Sequence, residues 1–223
     1  MPYQVLSTSR DLLAHSFYRR WVTGDLSFKE LRDYATQYSH VVVRLPGWLR
    51  TTATCFRGHA MKLVEHAEEE DSHVLLWTDF ALALGIGPGE LLLSRPNRAT
   101  AELLELGDQF SGSPIGVAVA WALEVQAPAV SVEKLRGLKA HYGIDVDNGG
   151  RYFEIHSTRD LAHATQLAGA IADLPAHQRQ NAQRVADQVS DRLWDLLSSV
   201  ERPSPKRTRR YGSPAAESRR LKP

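Results

Sequence analysis

Helix punctuation recurs along the whole chain, and this constrains the possible folds more than any other feature. Ser27-Phe28-Lys29-Glu30 is a capping box, in which the Ser27 hydroxyl takes the Glu30 amide and the Glu30 carboxylate reaches back. Behind it Leu31, Tyr34, Tyr38, Val41 and Val42 recur at helical spacing, predicting a helix to about Arg44 that Pro46 stops or replaces with the next. A second pattern covers about Ala60 to Leu84 and ends at Gly85-Ile86-Gly87-Pro88. Asn97 and Thr100 open another, which closes before Ser111-Gly112-Ser113-Pro114. Ile115 to Ala127 is apolar and alanine-rich; Pro128 breaks it, and Val132 to Tyr142 resumes helically until Gly143. Asp147-Asn148-Gly149-Gly150 reads as a turn, followed by a helix from about Arg151 to Leu174 and a last amphipathic one from Pro175 to about Val200. No strand pair and no internal repeat stands out. The expected architecture is all-α, about eight helices around one core.

Composition supports a folded chain: 43% of residues are hydrophobic and 24% charged, which excludes wholesale disorder. No apolar stretch reads as reaching the roughly 18 residues of a membrane span, and the N-terminus lacks the pattern of a signal peptide. The lone Cys55 cannot form an internal disulfide or a cysteine-based metal site, so a reducing cytoplasm is the expected compartment. The net charge of +1 conceals an asymmetry. Residues 201–223 hold eight Lys/Arg and two Glu, a charge of +6, which leaves −5 on residues 1–200. The division is a folded domain over 1–200 and a basic, Pro/Ser-rich, disordered tail over 201–223. The acidic body is not a nucleic-acid surface; only the tail could touch nucleic acid, by counterion release.

Three segments carry candidate chemistry. His156, Asp160 and His163 lie at offsets of 4 and 7, which brings them within about 40° of one line on a helix. Two imidazoles and a carboxylate on one stripe can grip a metal. In the acidic run Glu68-Glu69-Glu70-Asp71-Ser72-His73, Glu70 and His73 form the Glu-x-x-His pair that helical di-iron carboxylate proteins use; Glu69 is the competing choice. Glu124 sits alone in PIGVAVAWALEVQAP, where a buried carboxylate is costly unless paired or metal-bound. Three carboxylates and three histidines are what two adjacent metals take with open positions to spare. A solvated polar face is the ordinary alternative for the two histidine-bearing segments, and pairing with an arginine for Glu124.

The segments HSFYRRW-x-x-G-x-L, LRDYATQYSHVVVRLP, EEEDSHVLLWTDFALALG, LEVQAPAVSVEKLRGLKAHYG and RYFEIHSTRDLAHA, in this order, resemble the haem-oxygenase-like di-metal oxidases related to TenA and PqqC. The resemblance covers roughly residues 10–175. It implies the haem-oxygenase-like helical fold without haem. It also implies two non-haem metal ions (iron–iron or manganese–iron) held by Glu70, His73, Glu124, His156, Asp160 and His163, with dioxygen as co-substrate and a reductant as partner. The chain is similar, further, to the subgroup typified by the chlamydial protein associating with death domains, whose members form p-aminobenzoate by consuming one of their own tyrosines, with an internal lysine supplying the amine. The matching positions are Tyr18, Tyr34 and Lys134, so that no free organic substrate is needed. One departure is Leu123, where the subgroup has a tyrosine. Lys134 lies ten residues after Glu124, close to three helical turns if the helix runs through Pro128. The resemblance further implies a homodimer with no membrane partner. Competing expectations are an oxygenase acting on a free amino acid or fatty acid by N-oxygenation, desaturation or C–C cleavage, and a non-catalytic interaction module of the same fold.

Overall fold

The computed structural model describes residues 7–202. The chain is built of α1 (Ser16–Thr23), α2 (Phe28–Cys55), α3 (Ala60–Ala83), α4 (Pro88–Leu93), α5 (Arg98–Ser111), α6 (Val117–Glu124), α7 (Ala127–Gly137), α8 (Arg151–Ala172) and α9 (Ala176–Val200), joined by short turns, with no strand among the described residues. The expected all-α architecture is thus present; α1 and the short α4 are not among the expected helices.

The capping box forms as expected. Ser27 Oγ accepts from the Glu30 amide at 3.2 Å, and Glu30 Oε2 accepts from the Ser27 amide at 2.8 Å. Glu30 is buried and does more than close a helix. Its two oxygens take Arg20 of α1 at 2.6 and 3.1 Å, and Oε1 also accepts the Arg202 amide at 2.9 Å. Glu201 adds a bond from Ser16 at 2.6 Å. Glu201 and Arg202, the first two residues of the expected tail, thus bond to the body; the rest of that tail lies outside the described residues. Arg20→Ala strands the buried Glu30 carboxylate and is expected to cost roughly 3 kcal/mol in chemical denaturation. Arg20 and the cap hydrogen bonds outweigh the upward push of burial and hold Glu30 near 2, against an ordinary 4.5. Its contribution is complete above pH 4.5 and is lost as pH falls toward 2, so the gap between wild type and Arg20→Ala should narrow through that window.

Two prolines depart from expectation. Pro46 neither stops α2 nor starts another helix; it lies buried inside one that runs on to Cys55. The apolar stripe continues on both sides of it through Val41, Val42, Leu45, Trp48 and Leu49, all buried where α2 packs on α3 and α5. That burial outweighs the roughly 3 kcal/mol an internal proline costs. Pro128 sits in the first turn of α7, where its missing N–H is not needed, so the helix resumes at Ala127 and not at Val132.

Every residue of α6 is buried, which is why it shows no amphipathic stripe. Within Pro114–Tyr142 an 18-residue window has a mean hydropathy of 1.5, which by length and composition suffices to cross a membrane and corrects the expectation that no stretch does. In this structure it is a core element, turned at Val125–Gln126 and packed against α8 and α9. A Cβ on Gly137 would lie 2.7 Å from Trp21 Cδ1. Its absence lets α7 approach α1, and Trp21 Nε1 donates to the Lys134 carbonyl at 3.0 Å. That contact sets the height of Lys134 in the core.

Candidate metal centre

α3 and α8 face each other in the core, each presenting a stripe of polar side chains inward. On α3 the stripe is His66, Glu70 and His73; on α8 it is His156, Asp160 and His163. All six are buried, and so is Glu124, the last residue of α6. Glu70 Oε1 lies 3.0 Å from His73 Nδ1, and Glu70 Oε2 lies 3.9 Å from His156 Nε2. Glu124 Oε1 is 2.9 Å from His66 Nε2, and Glu124 Oε2 is 3.8 Å from His163 Nδ1. Ligand atoms of His66, Glu70, Glu124 and His163 all fall within 4.8 Å of one another, as do those of Glu70, His73 and His156. Glu70 belongs to both groups.

The helices thus bring five of the six residues singled out in the sequence, Glu70, His73, Glu124, His156 and His163, into these groups and add His66; Asp160 is buried on the same α8 stripe and lines the adjacent cavity but belongs to neither group. His66 carries a legible signal: HAEEEDSH on α3 repeats the spacing of HSTRDLAH on α8. Glu69 and Glu70 take different positions. Glu70 points inward, whereas Glu69 is 41% exposed on the rim, 3.3 Å from His163 Nε2 and 3.4 Å from Arg159. The His156 Nδ1 contacts its own helix at the Tyr152 carbonyl, 2.7 Å away, which leaves Nε2 facing Glu70.

Both oxygens of Glu124, both of Asp160, both nitrogens of His66 and Nδ1 of His163 are buried with no hydrogen-bond partner. Even the 2.9 Å approach of His66 to Glu124 lacks the angles of a hydrogen bond. Burial and the neighbouring Glu124 and Glu70 push Asp160 up to about 10, and burial with Glu70 pushes Glu124 well above the carboxylate range. Burial also pushes Glu70 upward, but the imidazoles of His156 and His73 outweigh it and hold this carboxyl low. Burial and His66 lower His163 to about 4, and burial lowers His66. Carboxyls whose charge burial disfavours, set among buried imidazoles of which His66 and His163 have ring nitrogens with no hydrogen-bond partner among the described residues, form a donor set that suits bound cations.

Beside the cluster is a cavity of about 50 Å³, walled by Glu70, Glu124, His156 and Asp160 on one side and by Tyr18, Tyr34, Tyr38 and Lys134 on the other. Lys134 is buried, although such a lysine is ordinarily solvent-facing. Its Nζ donates to the Tyr34 hydroxyl at 2.5 Å and sits 5.2 Å from the Tyr18 ring centroid and 4.7 Å from that of Tyr34. Burial lowers its pKa from 10.5 to about 7 and raises those of Tyr18 and Tyr34. Leu123 is a buried apolar part of the wall. The aromatic ring stacked on the cluster is Tyr152, 3.8 Å from the His156 ring.

A helical fold wrapped around buried imidazoles and carboxylates defines a class, and the sequence agrees with it: residues 32–195 match the iron-containing redox enzyme family, to which this chain belongs. It is an oxidoreductase. It is 30% identical over 198 residues to the 4-aminobenzoate synthase of Chlamydia pneumoniae, covering 84% of this chain and 88% of that one. It is 29% identical over 214 residues to the 4-aminobenzoate synthase of Nitrosomonas europaea, covering 86% of each. In fold it is similar to a TenA homologue of Pseudomonas syringae pv. tomato (TM-score 0.75, 16% identity, 85% of this chain and 86% of the other). A CADD-like protein of Nostoc punctiforme gives a TM-score of 0.65 at 18% identity, over 86% of this chain and 88% of the other.

Proposed function

We propose that this protein forms 4-aminobenzoate, with Tyr18 supplying the aromatic ring, Lys134 the amine, and dioxygen and an external reductant as co-reactants. The metal ligands in this reading are Glu70, His73, Glu124, His156, Asp160 and His163. Two iron ions, or iron with manganese, would supply there the oxidising equivalents drawn from dioxygen. The relatives named 4-aminobenzoate synthase support the product.

The observation that carries the reading is the position of Lys134. Its amine lies against Tyr34 and Tyr18 in the cavity that the cluster borders. With a pKa near 7 a large fraction of it is the free amine at neutral pH, so its lone pair is available for attack on an oxidised ring. The Tyr34 hydroxyl holds Nζ in place. Leu12, Leu45, Leu193, Leu196 and Leu197 line the same cavity and keep it dry. About 50 Å³ admits dioxygen or a few waters and is far below the roughly 300 Å³ at which ordinary ligand pockets begin. A free fatty acid has no room there, which favours the polypeptide itself as the source of the ring.

The protein, loaded with iron or with iron and manganese and given dioxygen and reductant but no organic substrate, should release 4-aminobenzoate. Its intact mass should fall, with one change mapping to Tyr18, which loses its ring, and a second to Lys134, whose amine nitrogen leaves with the product. Tyr18→Phe should keep its metals and make no product. Continued product formation by a polypeptide of unchanged mass would defeat self-consumption, and absence of metal uptake would favour a non-catalytic module.

A further inference from the structure

The two stripes are related by more than proximity. His66-x3-Glu70-x2-His73 and His156-x3-Asp160-x2-His163 have identical spacing on two packed helices. His66 lies against His163, ring centroids 3.8 Å apart, and His73 lies against His156, at 4.6 Å. The first residue of one stripe thus meets the last of the other, so the helices run antiparallel and the stripes are related by a local two-fold. Under that relation the pair His66/His163 is equivalent to the pair His73/His156.

Resting on the metal-binding part of the reading above, we propose that His66 is a seventh metal ligand. It gives each of two metal positions a pair of imidazoles, and it thereby selects iron at both. One position has His66, His163 and Glu124; the other has His73 and His156, with Glu70 within reach of both groups, while Asp160, the remaining carboxylate of that reading, falls in neither group. His66 is 2% exposed, and neither ring nitrogen has a hydrogen-bond partner, which a purely structural histidine in a core would not tolerate. Imidazole suits iron, whereas manganese binds nitrogen donors more weakly and suits oxygen donors. A site with only His163 among carboxylates at the first position would be oxygen-rich and open to manganese; with His66 the two positions have matched nitrogen donors.

The test uses the full chain produced in medium holding equal iron and manganese, with bound metals counted by mass spectrometry. Wild type should carry about two irons per chain and less than about a tenth as much manganese. His66→Gln keeps an amide able to donate to Glu124 but removes the imidazole; its manganese-to-iron ratio should rise at least about tenfold. In cobalt-substituted wild type, which needs no variant to fold, NMR should show four hyperfine-shifted imidazoles.

Three shifted imidazoles, or a His66→Gln protein with wild-type metal content and ratio, would make His66 a hydrogen-bonding neighbour and overturn the proposal. Equal iron and manganese in wild type would overturn the selection of iron. Two bound irons without 4-aminobenzoate formation would remove the reading of Tyr18 and Lys134 and leave this inference standing, whereas a chain that takes up no metal removes both.

Discussion

Lys134→Met is expected to abolish 4-aminobenzoate formation and at the same time raise the melting temperature by about 10 °C near neutral pH. The lysine is fully inside the core, and no carboxylate pairs with it. Unfolded, it keeps its proton up to 10.5; folded, burial makes it surrender that proton at about 7. Between those values the unfolded chain binds more protons, so the stability of the wild type rises with pH from 7 toward 10.5. At pH 7 and below, burying this amine costs on the order of 4 kcal/mol, part of it returned by the facing aromatic rings. Methionine fills the same space without the charge. The gain should therefore be largest at pH 6, smaller at pH 9, and gone above about 10.5. Calorimetry across that range checks it. A melting temperature that falls in the variant, or a gain independent of pH, would mean that Lys134 is not held in the dry cage described above. A residue that destabilises the fold and is kept there marks a trade of stability for chemistry.

A second large effect is expected at Glu124. Both its oxygens are buried without a hydrogen-bond partner, and burial together with Glu70 disfavours its charge. In metal-free protein Glu124→Leu should stabilise, by about 1–4 kcal/mol, because an uncompensated carboxyl gives way to an apolar group of similar size. With iron(II) added anaerobically the order should reverse. Wild type at a thousandfold excess over Kd gains about 4 kcal/mol, or roughly 10 °C for a domain of this length. The variant should gain little, having lost a carboxylate shared by His66 and His163. The same metal-induced shift in both proteins would show that Glu124 is not a ligand.

The helices were legible because their signals are local. A capping box, a run of 3.6-residue periodicity or a glycine at a turn acts within a few residues and needs no partner. The same locality made the stripe His156, Asp160, His163 and the pair Glu70, His73 readable, since helix geometry alone sets which side chains share a face. Where expectation failed, a distant contact had intervened. Pro46 remains within a helix because α3 and α5 bury both sides of it. Pro114–Tyr142 is more apolar than expected because α8 and α9 pack around it in the core. His66 was within reach of the sequence through the repeated eight-residue spacing, but its partners Glu124 and His163 lie on other helices.

By itself, then, the sequence determined most of the helices and which faces carry carboxylates and imidazoles, because those follow from the backbone geometry of short stretches. Only the tertiary structure decided that the α3, α6 and α8 groups meet, that Glu70 and not Glu69 turns inward, and that Lys134 enters the core beside Tyr18 and Tyr34. Those outcomes depend on burial and on contacts between residues up to a hundred positions apart, as between Lys134 and Tyr34. Desolvation, which moves the pKa of that lysine and of the buried carboxyls, exists only once the helices have closed around them.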